Sequence, residues 1–147
     1  MIRLERSPEF WRDLIDHPAV SHVKMGQPFA IEEIVGLEGV TPLATAHGGF
    51  LFIRLDGLSR VFELHTMFKP EGRGRDLTTA AKEAFSRMFD GGARIITTYE
   101  VEGWTAPPLS FGWRSVGAFE PTDHGPIRTW VLTLEAWESS PAHRRLH

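Results

Sequence analysis

Glu63 and His65 stand two residues apart in Val61-Phe62-Glu63-Leu64-His65-Thr66-Met67-Phe68, a stretch with strand-like alternation. In an extended chain, successive side chains point to opposite faces, so Glu63, His65 and Met67 share one face and Phe62, Leu64, Thr66 and Phe68 the other. A carboxylate beside an imidazole is a proton-transfer pair, which makes Glu63 and His65 the candidate catalytic residues. The same two groups also suit one another as satisfied structural partners. The stretch runs into Lys69-Pro70-Glu71-Gly72-Arg73-Gly74-Arg75-Asp76, directly before a helical pattern that opens near Leu77. Glycines let backbone N–H groups approach an anion, a helix N-terminus favours negative charge, and Arg73 and Arg75 add charge-assisted hydrogen bonds. That combination suits a phosphate group; an ordinary tight turn with solvated arginines fits the same residues. Neither the Walker spacing nor Gly-x-Gly-x-x-Gly is present.

These residues must be positioned by the elements around them. Leu77, Ala80, Ala81, Ala84, Phe85 and Met88 recur with helical spacing, and Gly91-Gly92 supplies a stop. Arg94 to Tyr99 has strand composition, so strand, helix and strand form a βαβ unit with parallel strands. Upstream, Leu43 to Ala46, Phe50 to Ile53 and Val61 to Phe68, with a turn at Asp56-Gly57, read as an antiparallel meander. Ser7-Pro8 opens a short amphipathic helix carrying Phe10, Trp11, Leu14 and Ile15. After the Gly26-Gln27-Pro28 break, Phe29, Ile31, Ile34 and Val35 predict a second, ending at Gly36 or Gly39. The stretch from Gly103 to Gly112 holds Pro107-Pro108 and reads as a loop with at most a short helix. Ile127 to Trp137 alternates as a last strand, with Arg128, Trp130, Leu132 and Leu134 on one face. The fold class is α+β, with residues 1–138 as one domain and 139–147 as a flexible tail.

Composition narrows the function. The 147 residues, 41% hydrophobic, suit one core, and the net charge of −3 supplies no global positive field for nucleic acid or an anionic membrane. Cysteine is absent, which removes disulfides, thiolate metal sites and cysteine nucleophiles. Neither a signal-like apolar run nor a membrane-length span occurs, so a cytoplasmic location is expected. Of the seven histidines, His143 and His147 alone have helical ligand spacing, and no metal is expected. No Gly-x-Ser-x-Gly elbow marks a serine nucleophile. Trp104, Pro107, Pro108, Phe111 and Trp113 form either an exposed aromatic surface or a plug in the core.

The element order, together with the run from Met67 to Thr78, resembles the GNAT superfamily of acetyl-CoA-dependent N-acetyltransferases over roughly Glu9 to Glu135. That family's loop reads Arg/Gln-x-x-Gly-x-Gly/Ala. Arg73 takes the first place and Gly74 gives the common Arg-Gly form, while Asp76 and Thr78 stand where small residues are usual. The resemblance implies a central mixed, mostly antiparallel twisted sheet with one parallel strand pair around the βαβ unit and helices on both faces. It implies acetyl-CoA held across Met67, Phe68, Gly72, Arg73, Gly74, Arg75, Asp76, Leu77 and Thr78, a base on the strand of Glu63 and His65, and a small-molecule or protein amine as acceptor. Asp76 brings bulk and negative charge toward the pyrophosphate, or caps the helix. Many members carry a Tyr and an upstream Asn after the second parallel strand. Residues 104–119 supply neither, and Tyr99 reads as a core or edge residue of the preceding strand. The alternative is a degenerate, non-catalytic GNAT-like domain whose Trp104 to Trp113 segment engages a protein partner. Such forms resemble small phage- and prophage-encoded proteins, which would place it in a phage-like particle.

Overall fold

The long helix is built from the small and aromatic stripe along its inner side. In a computed structural model, which describes residues 1–20, 30–55, 58–123 and 125–146, Ala80, Ala81, Ala84, Phe85, Met88 and Phe89 are its buried residues. The Gly26–Pro28 break, Phe29, the Asp56-Gly57 turn and His147 lie outside the described residues. The helices are α1 (Pro8–Ile15), α2 (Ile31–Ile34), α3 (Arg75–Asp90), α4 (Leu134–Glu138) and α5 (Pro141–Arg144). The strands are β1 (Arg3–Leu4), β2 (Val40–Ala44), β3 (Gly48–Leu55), β4 (Leu58–Phe68), β5 (Ile95–Val101), β6 (Arg114–Glu120) and β7 (Ile127–Thr133). Helix α3 stops in a Schellman turn: Ala93 N–H donates to Met88 O at 3.0 Å, Gly92 N–H to Phe89 O at 3.1 Å, and Gly92 adopts φ 113°.

The strands form one sheet in the order β1-β2-β3-β4-β5-β7-β6. β4 and β5 pair in parallel, joined by α3 as a βαβ unit, while the other neighbours are antiparallel. Helices cover both faces. Phe50, Phe52, Leu64, Phe68, Ile96 and Leu132 pack toward α3. Leu51 and Met67 point the other way, into a cluster with Trp11, Leu14 and Ile15 of α1 and Ile31 of α2. The alternation expected along Val61 to Phe68 thus separates two cores. The second N-terminal helix is a single turn, and Pro8 opens α1 while the Ser7 hydroxyl bonds Glu9 instead of capping.

Two expectations after β5 are corrected. The last strand ends at Thr133 rather than Trp137, because the Thr133 side chain accepts the Ala136 N–H at 3.1 Å and starts α4. The flexible tail expected at 139–147 is, through residue 146, folded: Ser140 accepts the His143 N–H to cap α5, and Ala142 is fully buried. The stretch from Gly103 to Gly112 is a loop with a 3₁₀ turn at Leu109–Phe111, in keeping with the expected short helix; β6 follows it, an edge strand that patterning did not single out because its exposed Arg114, Val116, Gly117 and Ala118 give little apolar alternation. Trp137 stacks on Phe89 at 6.3 Å and meets Phe85 edge-on at 5.9 Å, so the C-terminal helices cover the C-terminal half of α3. No helix among the described residues is long and apolar enough to cross a membrane.

The aromatic segment divides. Phe111 and Trp113 are buried against Phe85, at 5.7 Å and 5.8 Å, whereas Trp104 is 42% and Leu109 71% exposed. A continuous docking surface from Trp104 to Trp113 is therefore not formed.

Candidate functional site

The parallel ladder between β4 and β5 has three rungs, Val61↔Ile95, Phe62↔Ile96 and Glu63↔Thr97, although both strands continue beyond it. Past Glu63, among the described residues, β4 pairs with β3 alone and β5 with β7 alone, so the sheet forks. The Thr98 hydroxyl takes the first missing rung by donating to Leu64 O at 3.0 Å. Backbone groups two residues apart on a strand point to the same side, so Thr66, like Leu64, directs its N–H and C=O into the fork. No described residue pairs with Thr66 on that side.

Glu63 lies at the apex of this fork. Its Oε2 is 2.9 Å from His65 Nε2, so the two predicted catalytic residues are in contact. The His65 hydrogen bond holds the Glu63 carboxyl below the usual carboxylate range, against an opposing push from burial. Tyr99, one turn of the pleat beyond Thr97 on β5, brings its hydroxyl to the same carboxylate. Burial first, and the hydrogen bond to Glu63 second, raise the Tyr99 pKa, which keeps the hydroxyl protonated at neutral pH. Tyr99 is 48% exposed, so of the core and edge positions expected for it, the structure has it at the open edge of the fork. Glu63, His65 and Tyr99 form a polar cluster on the α1 and α2 face, partly open to solvent.

At the mouth of the fork, the loop after β4 makes a 3₁₀ turn, Pro70–Gly72, and then α3 begins at Arg75 with Gly74 as its N-cap. Asp76 is thus in the first helical turn and not the cap. No side chain caps the helix, and the backbone N–H groups of Gly74, Arg75, Asp76 and Leu77 have no acceptor among the described residues. Gly74 has φ 81° and ψ −127°, a conformation that other residues rarely adopt. Gly72 serves packing instead: a Cβ there would stand 2.6 Å from His47 Cβ. Arg73 is also occupied, donating from Nε to Phe68 O at 3.2 Å and from Nη2 to Ala19 O at 2.9 Å, so its guanidinium ties the loop to the segment after α1. Arg75 and Thr78 are exposed beside the free amides, and Leu77 is half-buried against the α3 core. The side chains of Met67 and Phe68 are core, Phe68 lying 5.2 Å from Phe50, which leaves only their backbone to a ligand.

On the opposite face, the β5 arm of the fork is braced by a cluster that sequence patterning did not single out. Buried Glu100 accepts from Arg128 Nε at 3.0 Å, Arg128 Nη2 at 2.8 Å and Trp130 Nε1 at 2.8 Å. The Arg128 guanidinium lies 4.5 Å from the Phe119 ring centre and 5.1 Å from that of Trp130. The opposite charges directly across from one another on paired strands, Glu100↔Arg128, were the available signal, visible only once β5 and β7 are known to be neighbours. Among the described residues no three His, Asp or Glu side chains converge as a metal site.

No protein-family model and no curated protein matches the sequence. Solved structures do share the architecture. Ribosomal-protein-alanine N-acetyltransferase from Brucella melitensis has a TM-score of 0.68 and 14% identity, over 91% of this chain and 99% of that one. Spermidine N-acetyltransferase from Vibrio cholerae, in complex with CoA and spermine, gives 0.71 and 13%, over 93% and 96% of the two chains. Aminoglycoside 6'-acetyltransferase type Ii gives 0.65 and 16%, over 90% and 96%. The fold is that of the GNAT N-acetyltransferases.

Proposed function

We propose that this chain, with its GNAT fold, transfers an acetyl group from acetyl-CoA to an amine. The observation that carries the reading is the fork itself: a base at its apex, an unpaired strand amide along one arm, and four free amides at its mouth. The amides of Gly74 to Leu77 and the Arg75 side chain suit the pyrophosphate, since they offer aligned donors at the positive end of α3. Thr66 N–H is the donor for the thioester carbonyl, and would bind it more strongly as negative charge develops on the oxygen. Glu63, ionised and held in place by His65, accepts the amine proton as the C–N bond forms. As the C–S bond breaks, Tyr99 donates its proton to the leaving sulfur and recovers one from Glu63, which balances the transfer. Amine acceptors of the kinds named for the similar enzymes, polyamine, aminoglycoside or peptide N-terminus, are the panel to assay through release of the CoA thiol.

Three results are expected. Acetyl-CoA at about 100 times its Kd adds ~2.7 kcal/mol to stability and raises Tm accordingly; an unchanged Tm at millimolar ligand contradicts the proposal. Asp76→Asn tightens acetyl-CoA binding by about three- to tenfold, because a like charge a few ångströms from a pyrophosphate in exposed surroundings is worth ~1 kcal/mol. Calorimetry on both proteins checks this, and equal affinities would move the pyrophosphate away from α3. Tyr99→Phe lowers the turnover rate by at least about tenfold with acetyl-CoA affinity unchanged. Undiminished turnover would remove Tyr99 from the proton path.

A further inference from the structure

At the opposite end of the parallel pair from the fork, a cleft of about 570 Å³ opens between the start of β4, the end of α3, the start of β5 and the start of α4. Its apolar lining is Phe62, Met88, Phe89 and Leu134, and three arginines stand around it: Arg60, Arg87 and Arg94. They come from three separate elements. The parallel pairing brings two together, since Arg94 N–H donates to Arg60 O at 2.8 Å, and Arg87 arrives from the last turn of α3. None of the three guanidinium groups has an ion pair or hydrogen bond among the described residues, and no acidic residue lines the cleft. In a chain of net charge −3, this is a concentrated local cation.

We propose that this cleft is a binding site for an organic phosphate of mononucleotide size, separate from the acetyl-CoA fork. Guanidinium groups are suited to bidentate phosphate recognition, and three of them facing one cavity favour a ligand with more than one negative oxygen. The volume falls within the range of small-molecule sites, and the floor of Phe62, Met88, Phe89 and Leu134 accepts a flat apolar ring. The negative end of the α3 dipole opposes an anion here. That opposition is weakened because the Schellman turn already satisfies the Met88 and Phe89 carbonyls, and a half charge is outweighed by three cations. The concave cleft, rather than a basic stripe along the surface, selects a small molecule over a nucleic-acid strand.

The test is an amide NMR titration of the whole chain with AMP, with adenosine and with inorganic phosphate. AMP is expected to shift the amides of Gly91, Gly92, Ala93 and Arg94 in a saturable manner, and to bind more tightly than either fragment. Each of Arg60→Gln, Arg87→Gln and Arg94→Gln should weaken AMP binding at these amides by at least about tenfold, as expected for loss of a charge-assisted hydrogen bond. All three side chains are exposed, so the variants should retain the wild-type spectrum. Shifts confined to Gly74 through Leu77 would overturn this site while leaving the acetyl-CoA reading intact. So would equal binding of AMP and phosphate, no response to millimolar AMP, or unchanged affinity in the three variants.

Discussion

Replacing Glu63 by Gln is expected to lower kcat/KM for acetyl transfer by about 10²–10⁴-fold while leaving acetyl-CoA affinity unchanged. The substitution keeps the shape of the side chain and its place at the end of the parallel ladder, but an amide cannot take a proton from the amine. The split between rate and affinity matters, because a residue that merely supported the fork would change both. The pH profile provides a second check. His65 holds the Glu63 carboxyl below its ordinary range, so the acid limb of the wild-type profile should lie below that range as well. His65→Gln removes the strongest lowering contact, and the limb should move to higher pH. The linked stability effect has a definite sign: a carboxyl whose folded pKa is depressed stabilises the fold above its unfolded pKa and loses that contribution as pH falls through the folded value. An acid limb that stays fixed in the His65 variant, or a Glu63→Gln protein with full turnover, would remove this carboxylate from the reaction.

The largest stability effect is expected at Trp113. Its ring is buried, with 4% exposure, and lies edge-on 5.8 Å from Phe85, so Trp113→Ala should destabilise by about 3–5 kcal/mol. For a chain of this size that corresponds to a fall in Tm of roughly 10 °C or more. Trp113→Phe should cost much less. It keeps an aromatic ring against Phe85 and removes an indole N–H that is buried without a hydrogen-bond partner among the described residues, and an orphaned donor is itself unfavourable by ~1–3 kcal/mol. Trp104→Ala, at a residue 42% exposed, should cost about 1 kcal/mol or less. Thermal melts of the three variants decide the matter. Equal, small losses at both tryptophans would return the segment to the surface and revive a partner-binding role for it.

The two tryptophans also show where sequence is informative and where it is not. Period-two alternation in Val61 to Phe68 and helical spacing in Leu77 to Met88 were enough to place the βαβ unit and the Glu63–His65 pair, because both patterns report burial of one face by local geometry. Nothing local distinguishes Trp104 from Trp113: both sit among glycine, proline and aromatics, and only packing on Phe85 separates them. Tyr99 was hidden for a related reason. Its partner, Glu63, is on another strand, and its exposure follows from the fork, which removes the neighbour that would have covered it. At the C-terminus the alternation of Leu132, Leu134 and Trp137 fits strand and helix alike, and the deciding contact is the Thr133 cap. Arg73 is the clearest case of a motif residue with a different local role, since its guanidinium is bound to two main-chain carbonyls.

The central claim is that the fork between β4 and β5, with the α3 N-terminus at its mouth, holds acetyl-CoA. Mapping amide shifts during a titration with acetyl-CoA tests it directly. Saturable shifts are expected at Gly74 through Leu77 and at Thr66, along the arm and mouth of the fork. No shifts at millimolar acetyl-CoA, or shifts that leave Thr66 and the α3 N-terminus untouched, would contradict it.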